Sequence, residues 1–144
     1  MIDGLTITTL KQIFHHSGSV YHGIKKSDPG FMGFEEAYFS TIKFTEIKAW
    51  KKHTKMTLNL VVPVGEIRFV MYDDRENSKS KGRYFEIKLS LNNYKRLTIP
   101  PGVWVGFQGV GKGLNLLLNV ADMEHDPTEI TRLNIDEIEY NWQL

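Results

Sequence analysis

A short basic stretch, Lys48-Ala-Trp-Lys-Lys-His53, carries the side chains best suited to chemistry. On an extended strand, Lys51, His53 and Lys55 would share one face. Two cations that flank an imidazole can stabilise the negative charge of a phosphate or of an enolate oxygen. The spacing therefore predicts a pocket for one of these anionic groups.

A solvated edge strand is the alternative interpretation of the same residues. Natural sheets place lysines on edge strands because an exposed charge prevents pairing with another chain. Residue types alone favour this second interpretation. The choice between the two depends on the elements that position the stretch.

Alternation of apolar and polar residues predicts a chain built mainly from β-strands. In the segment Tyr84–Leu89, the apolar residues Phe85, Ile87 and Leu89 share one face. The segment Leu114–Val120 alternates in a similar way. Turn signals rich in Gly, Pro, Asn and Asp separate the segments at close intervals. Many short strands at this spacing predict an antiparallel β-sandwich or jelly roll.

Other structural signals are weaker. Only Asp136–Tyr140 could form a short helical turn. Near the N-terminus, Leu5–Leu10 suits a strand, whereas His15–Ser19 suits a loop.

Composition limits the classes of function. The chain has 144 residues, 41% of them hydrophobic and 24% charged, which predicts one soluble globular domain. It has no cysteine, no apolar run long enough to span a bilayer and no secretory signal pattern, so we expect a cytoplasmic protein that does not bind membranes. A net charge of +1 argues against nucleic acid as a partner.

Several segments, taken in order along most of the chain, resemble one known family. The segments are Gly33–Ser40, Lys48–Lys51, Val64–Arg75 with Ser78 and Gly82, Leu89–Gly102 and Pro100–Phe107, followed by Asp136 and Trp142. They are similar to the strands and turns of the dTDP-4-dehydrorhamnose 3,5-epimerases, which belong to the deoxysugar epimerase and isomerase group.

The resemblance implies an all-β fold, namely a cupin-type antiparallel jelly roll or β-sandwich barrel. It implies a single cupin domain over residues 1–144, with residues 1–30 as an N-terminal strand and loop region and residues 31–144 as the barrel. Small cupins of this group usually pair, so a homodimer is also expected.

The activity implied by the resemblance is proton transfer next to a ketone. In the family, a histidine removes a proton α to the C4 ketone of a nucleoside-diphosphate sugar, and a tyrosine on the opposite side returns one. Lys51 occupies the position of that histidine, and Val105 occupies the position of a second histidine. The resemblance therefore implies Lys51 as the base and His125 as the acid.

Further roles follow from the same resemblance. His53 and Lys48 would stabilise the enolate or the diphosphate, and Glu36 would recognise the nucleotide base. Lys48 and Glu36 are thus implied as substrate-binding positions. Lys55, on the same strand face as Lys51, and the aromatic residues Tyr38 and Trp104, which could stack on a nucleotide base, are further candidate substrate-binding residues.

No metal or other cofactor is expected. Metal-binding cupins use a His-x-His pair with a glutamate and a later histidine. Lys51 breaks that pair, and Val105 removes the later ligand. A second hypothesis for function is a catalytically inactive protein that binds a sugar nucleotide or regulates a sugar-processing enzyme.

Overall fold

β-Strands form almost all of the regular structure in the computed structural model, which describes residues 1–144. The strands are β1 (Thr6–Thr9), β2 (Gln12–Ile13), β3 (Val20–Tyr21), β4 (Glu36–Thr41), β5 (Ile47–His53), β6 (Leu58–Val64), β7 (Glu66–Asp73), β8 (Tyr84–Ser90), β9 (Lys95–Ile99), β10 (Val103–Gly109), β11 (Leu116–Ala121) and β12 (Ile130–Arg132). One turn of 3-10 helix, Pro127–Glu129, precedes β12. The helical turn predicted at Asp136–Tyr140 is wrong, because turns, bends and irregular backbone occupy that segment.

Two five-stranded sheets form the body of the protein. The first sheet has the strand order β1-β9-β6-β11-β4, and the second has the order β12-β5-β10-β7-β8. All strand pairings within them are antiparallel. A core of apolar side chains from both sheets, including Leu60, Leu97, Phe69 and Val103, fills the space between them. The architecture confirms the predicted antiparallel jelly roll.

The two segments with the clearest alternation are strands, as predicted. In β8, Phe85, Ile87 and Leu89 pack against the core, while the residues between them are exposed. In β11 the buried residues are Leu117, Asn119 and Ala121. The more apolar face of the segment, with Leu116, Leu118 and Val120, is only partly buried, so the fully buried face of β11 is the one that carries an asparagine.

Hydrogen bonds compensate the burial of Asn119. Its Oδ1 accepts from the backbone N–H of Asn59 at 3.1 Å, and its Nδ2 donates to the hydroxyl of Tyr38 at 3.1 Å. A buried amide with such partners avoids the cost of desolvated, unpaired polar atoms. The asparagine also links β11 to both of its neighbours, β4 and β6.

The segment after β12 covers the outer face of the second sheet. A buried cluster forms there from Trp50, Val70, Trp104 and Ile138, with Tyr140 and Trp142 packed against it. Arg68 holds the segment down by donating to the backbone carbonyls of Trp142 at 2.7 Å and Gln143 at 3.2 Å. Trp104 therefore projects away from the space between the sheets.

The N-terminal region matches its predicted elements. The strand predicted at Leu5–Leu10 contains β1, which pairs with β9 at the edge of the first sheet. The loop predicted at His15–Ser19 lies between the paired strands β2 and β3. The chain has no helix that is both long and apolar enough to cross a membrane.

Candidate active site between the sheets

A cavity of about 850 Å³ lies between the two sheets, at the end where β5 and β12 meet. Its apolar floor includes Leu58, Leu60 and Leu117 from the first sheet and Val105 from the second. Polar and charged groups lie along its walls and rim. A concave, mostly apolar site with a few polar groups is typical of small-molecule binding.

An irregularity in β5 determines which of its residues reach this cavity. Val105 of β10 pairs with Lys51, but Phe107, two residues later, pairs with Lys48, three residues earlier. The extra residue in β5 is a β-bulge, which breaks strict alternation. As a result, Lys48, Lys51 and His53 all border the cavity.

His53 lines the cavity, and it forms a buried pair with Glu129, which lies behind it. Their relative exposures are 4% and 2%. His53 Nδ1 is hydrogen-bonded to Glu129 Oε1. Glu129 Oε2 accepts from the backbone N–H groups of Lys55 at 3.1 Å and Met56 at 3.2 Å. The carboxylate is therefore fixed by three donors, and it fixes the imidazole in turn.

The surroundings keep this pair as a neutral imidazole next to a carboxylate. Burial lowers the pKa of His53 below its ordinary value of 6.5, although Glu129 opposes the shift. Burial favours the protonated form of Glu129, but the hydrogen bonds from His53, Lys55 and Met56 outweigh it and lower the pKa of Glu129. In this state Nδ1–H donates to Glu129, and Nε2 presents a lone pair.

Positive charge predominates in the cavity lining, whose charged residues other than His53 are Lys48, Lys51, Arg132 and Glu137. Lys51 lies opposite Arg132 of β12 in the strand register, and both side chains line the cavity. Burial, Arg132 and Lys48 lower the pKa of Lys51, while Glu129 acts in the opposite direction. Lys48 reaches the carbonyl of Thr41 at 2.9 Å. The mouth thus attracts anions.

Tyr38 lies on the facing wall. It belongs to β4 of the first sheet and lines the cavity. Its hydroxyl oxygen accepts from Asn119, so its own proton is free to be donated. Among the cavity-lining residues of the first sheet, Tyr38 has the only titratable side chain.

Trp104 and Lys55 lie outside the cavity, contrary to their predicted positions. Trp104 faces the opposite side of β10 from Val105, packs in the outer cluster and donates from Nε1 to Asp74 at 2.8 Å. Lys55 follows the end of β5, and its side chain is exposed. Only the backbone N–H of Lys55 takes part in the site, through Glu129.

His125 and Glu36 also lie away from the cavity lining. His125 is exposed in the loop that precedes the 3-10 turn, so it does not face Lys51 across the cavity. Glu36 begins β4, and its Oε2 is buried without a hydrogen-bond partner. Neither residue is brought to the groups on β5.

Three residues that the sequence did not indicate belong to the site. They are Glu129, Arg132 and Asn119. No group of three or more His, Cys, Asp or Glu side chains is close enough together to hold a metal ion. The cavity brings together an imidazole, a phenol and cationic side chains, with the Glu129 carboxylate behind His53.

Comparison with known proteins places the chain in one family. The family model for dTDP-4-dehydrorhamnose 3,5-epimerase matches residues 47–144, the part of the chain that contains β5, Glu129 and Arg132. The chain belongs to this family. The match confirms the resemblance predicted from the sequence. It also confirms that the chain is an epimerase-like protein of nucleotide-sugar metabolism.

Two named proteins show the extent of the similarity. The spore coat polysaccharide biosynthesis protein SpsL of Bacillus subtilis is 27% identical over 146 residues, covering 99% of this chain and 97% of SpsL. The probable low-salt glycan biosynthesis epimerase Agl13 of Haloferax volcanii is 30% identical over 93 residues, covering 64% of this chain. That match spans only 60% of the length of Agl13.

A solved structure of the dTDP-sugar isomerase from Desulfovibrio desulfuricans G20 has the same fold. It superposes with a TM-score of 0.94 and is 38% identical in sequence. The alignment covers 98% of this chain and 92% of that protein. The structural similarity therefore covers all of the strands that surround the cavity.

Proposed function

We propose that the protein is a nucleotide-sugar epimerase or isomerase that acts on a sugar of the dTDP-4-keto-6-deoxyhexose type. The reaction is proton transfer at a carbon next to the ketone, and no metal or other cofactor takes part. Membership of the dTDP-4-dehydrorhamnose 3,5-epimerase family supports the substrate class. The 38% identity to a dTDP-sugar isomerase supports it as well.

One observation carries the proposal, namely that His53, held from behind by the buried Glu129, lines a cavity together with three cationic side chains. A nucleoside-diphosphate sugar has an anionic diphosphate and a largely neutral hexose. Arg132 and Lys48 suit the diphosphate, since charge-assisted hydrogen bonds to phosphate oxygens are strong. The apolar floor with its imidazole suits the hexose.

Loss of a proton next to the ketone produces an enolate. Its negative charge develops on the C4 oxygen, and a fixed cation near that oxygen lowers the barrier. Lys51 lies at the cavity between Lys48 and His53 along β5, in a position to supply that charge. Both Lys51 and His53 are placed to contact the substrate.

Inversion requires that a proton return from the opposite face of the sugar. His125 does not line the cavity, so we assign this role to Tyr38 on the facing sheet. Tyr38 and His53 belong to different walls of the same cavity. A sugar held between them could lose a proton on one side and gain one on the other.

Incubation of the protein with a dTDP-4-keto-6-deoxyhexose in heavy water tests the proposal. We expect deuterium at the carbon next to the ketone, detected by NMR, because an enolate exchanges its proton with solvent. dTDP-glucose is the control, because it has no ketone and should not exchange. Binding of the ketosugar by calorimetry without deuterium incorporation would instead support the alternative of a catalytically inactive sugar-nucleotide-binding protein.

The proposal includes a homodimer. β4 is an edge strand of the first sheet, and the apolar side chains Met32, Phe34 and Phe39 are exposed on it or just before it. An open strand edge with apolar side chains is suited to pairing with a second copy. Tyr38 belongs to the same strand, so association would also stabilise one wall of the cavity.

A further inference from the structure

Two groups on β5, Lys51 and His53, are placed to accept the proton. We infer that His53, positioned by Glu129, is the base and that Lys51 acts as a fixed cation beside it. This inference rests on the proposed function, because it names the group that performs the proton transfer.

The orientation of the imidazole is the first argument. Glu129 holds Nδ1, and Nε2 makes no hydrogen bond within the protein although His53 lines the cavity. The carboxylate cannot rotate away, because the backbone N–H groups of Lys55 and Met56 hold its second oxygen. The structure therefore directs one unshared nitrogen lone pair toward the space where the sugar would lie.

The burial of Glu129 is the second argument. An ionised carboxylate with almost no solvent exposure is costly unless donors surround it. The two backbone donors hold Oε2, which leaves Oε1 to accept from the Nδ1–H group of His53. A carboxylate behind an imidazole selects the tautomer and stabilises the imidazolium that forms when a proton arrives.

The third argument compares the availability of the two bases. A lysine with an ordinary pKa of 10.5 is neutral in only about one molecule in 3,000 at pH 7. The surroundings lower the pKa of Lys51 from this value, but they also lower the pKa of His53. An imidazole with a pKa of 6.5 is neutral in about three molecules in four. The charged groups that face His53 are Glu129 of the 3-10 turn, Lys51 of its own strand and Arg132 of β12. The two cations favour the neutral imidazole, and Glu129 opposes them.

The proposed step is balanced without any further reactant. The electron pair of the C–H bond becomes the second bond between that carbon and C4, and the carbonyl π pair moves to the C4 oxygen. The proton goes to Nε2 of His53, which becomes an imidazolium next to the Glu129 carboxylate. The Lys51 ammonium faces the new oxyanion, and a proton from the Tyr38 hydroxyl returns to the carbon and restores the ketone. Exchange with water then removes the proton from the imidazolium and returns one to the phenolate.

Glu129→Gln is the most informative variant. The amide oxygen can still accept from Lys55 and Met56, but the amide NH₂ then faces Nδ1 of His53. That contact favours the tautomer with the proton on Nε2, which leaves no lone pair for the substrate. We expect the kcat of deuterium exchange to fall by about 100-fold or more, with KM changed by less than about threefold. Glu129 is thus a positioning residue.

The imidazole tautomer provides a readout that a structural role would not change. In the wild-type protein labelled with ¹⁵N, NMR should show a protonated Nδ1 and an unprotonated Nε2 for His53 at pH 7. In Glu129→Gln the two assignments should exchange. A wild-type spectrum with the proton on Nε2 would overturn the inference, and this measurement does not depend on the stability of any variant.

His53→Gln and His125→Gln are a matched pair of variants. We expect His53→Gln to lose at least about 100-fold in exchange rate while still binding dTDP. The exposed His125 lies outside the cavity, so His125→Gln should exchange at the wild-type rate. Undiminished exchange in His53→Gln, with exchange present in the wild type, would overturn the assignment of the base alone. Absence of exchange in the wild type would instead overturn the proposed function.

Discussion

Lys51 of β5 and Arg132 of β12 lie directly opposite each other in an antiparallel pair, and neither forms a salt bridge. Like charges in such cross-strand positions repel each other. The repulsion is a cost to the free protein that an anion bound between the two side chains would remove. The pair therefore favours a ligand with negative charge at the mouth of the cavity.

Replacement of Arg132 should change stability and binding in opposite directions. Arg132→Gln removes the repulsion, so we expect the free protein to gain a few tenths of a kcal/mol in free energy of unfolding. The same variant loses a charge-assisted contact to the diphosphate, and dTDP affinity should fall by about tenfold. Urea unfolding and calorimetry measure the two effects.

Arg83→Gln is the control for Arg132→Gln, because Arg83 is exposed and lies outside the cavity. It should leave dTDP affinity unchanged. If both variants weaken binding to the same extent, net charge rather than a site at the mouth explains the effect.

Lys51 should tolerate a change of shape but not a loss of charge. As a fixed cation beside the enolate oxygen, it can be replaced by arginine, so Lys51→Arg should keep deuterium exchange within about tenfold of the wild-type rate. Lys51→Met should lower the rate by about 100-fold, because one oxyanion contact is lost. Exchange lost in both variants would support Lys51 as the base.

The strands were predictable because their signal is local. The alternation in the segment 84–89 reflects which face of that strand is buried, and the turn residues between segments mark where strands end. Both signals come from residues that are neighbours in sequence. The same rule explains the error at Trp104. The family resemblance predicts that the side chain of Val105 faces the cavity. Neighbouring residues in a strand face opposite sides of the sheet. Trp104 could not share that cavity.

The site was less predictable because it depends on distant contacts. Glu129 meets His53 across 76 residues of sequence. Arg132 belongs to β12, which has only three residues and is too short to show a period. The bulge that brings Lys48 to the same side as Lys51 is likewise defined by pairing with β10. Local patterns contain no information on such pairings.

Acid should destabilise the protein in part through His53 and Glu129. Folding lowers the pKa of His53 below its ordinary value of 6.5. At a pH between the folded and the unfolded pKa, the unfolded chain therefore binds a proton that the folded chain excludes. Stability therefore falls as pH decreases below 6.5. The pKa of Glu129 is lowered from 4.5, which adds a further loss as pH decreases below 4.5.

Urea unfolding of the wild type and of His53→Gln at pH 7.5 and pH 5.5 isolates the histidine contribution. The wild type should lose more stability than the variant over this interval, because only the wild type has the titrating imidazole. An equal loss in the two proteins would show that the pKa of His53 is not lowered by folding.

Light scattering should detect a homodimer, with twice the monomer mass of 16.6 kDa at micromolar concentration. Phe39 is 65% exposed on the edge strand β4, so Phe39→Glu should shift the mass toward the monomer without unfolding the core. Phe14→Glu is the control, since Phe14 is also exposed but lies between β2 and β3. A wild-type protein with the monomer mass would contradict the proposed dimer.

Tyr38→Phe should separate proton removal from inversion. His53 and Glu129 are unchanged in this variant, so the enolate should still form and deuterium should still enter the sugar. The returning proton, however, would no longer come from the facing sheet, and it could be added only from the side of His53. We expect the starting sugar to acquire deuterium with its configuration retained, while the rate of epimer formation falls by about 100-fold or more. NMR of the product distinguishes the two outcomes through the couplings of the ring protons.

Asn119 keeps its hydrogen bond to Asn59 in the Tyr38→Phe variant, so the fold of β11 should be preserved, and circular dichroism can verify this. Formation of the epimer at the wild-type rate would exclude Tyr38 as the acid on the facing wall.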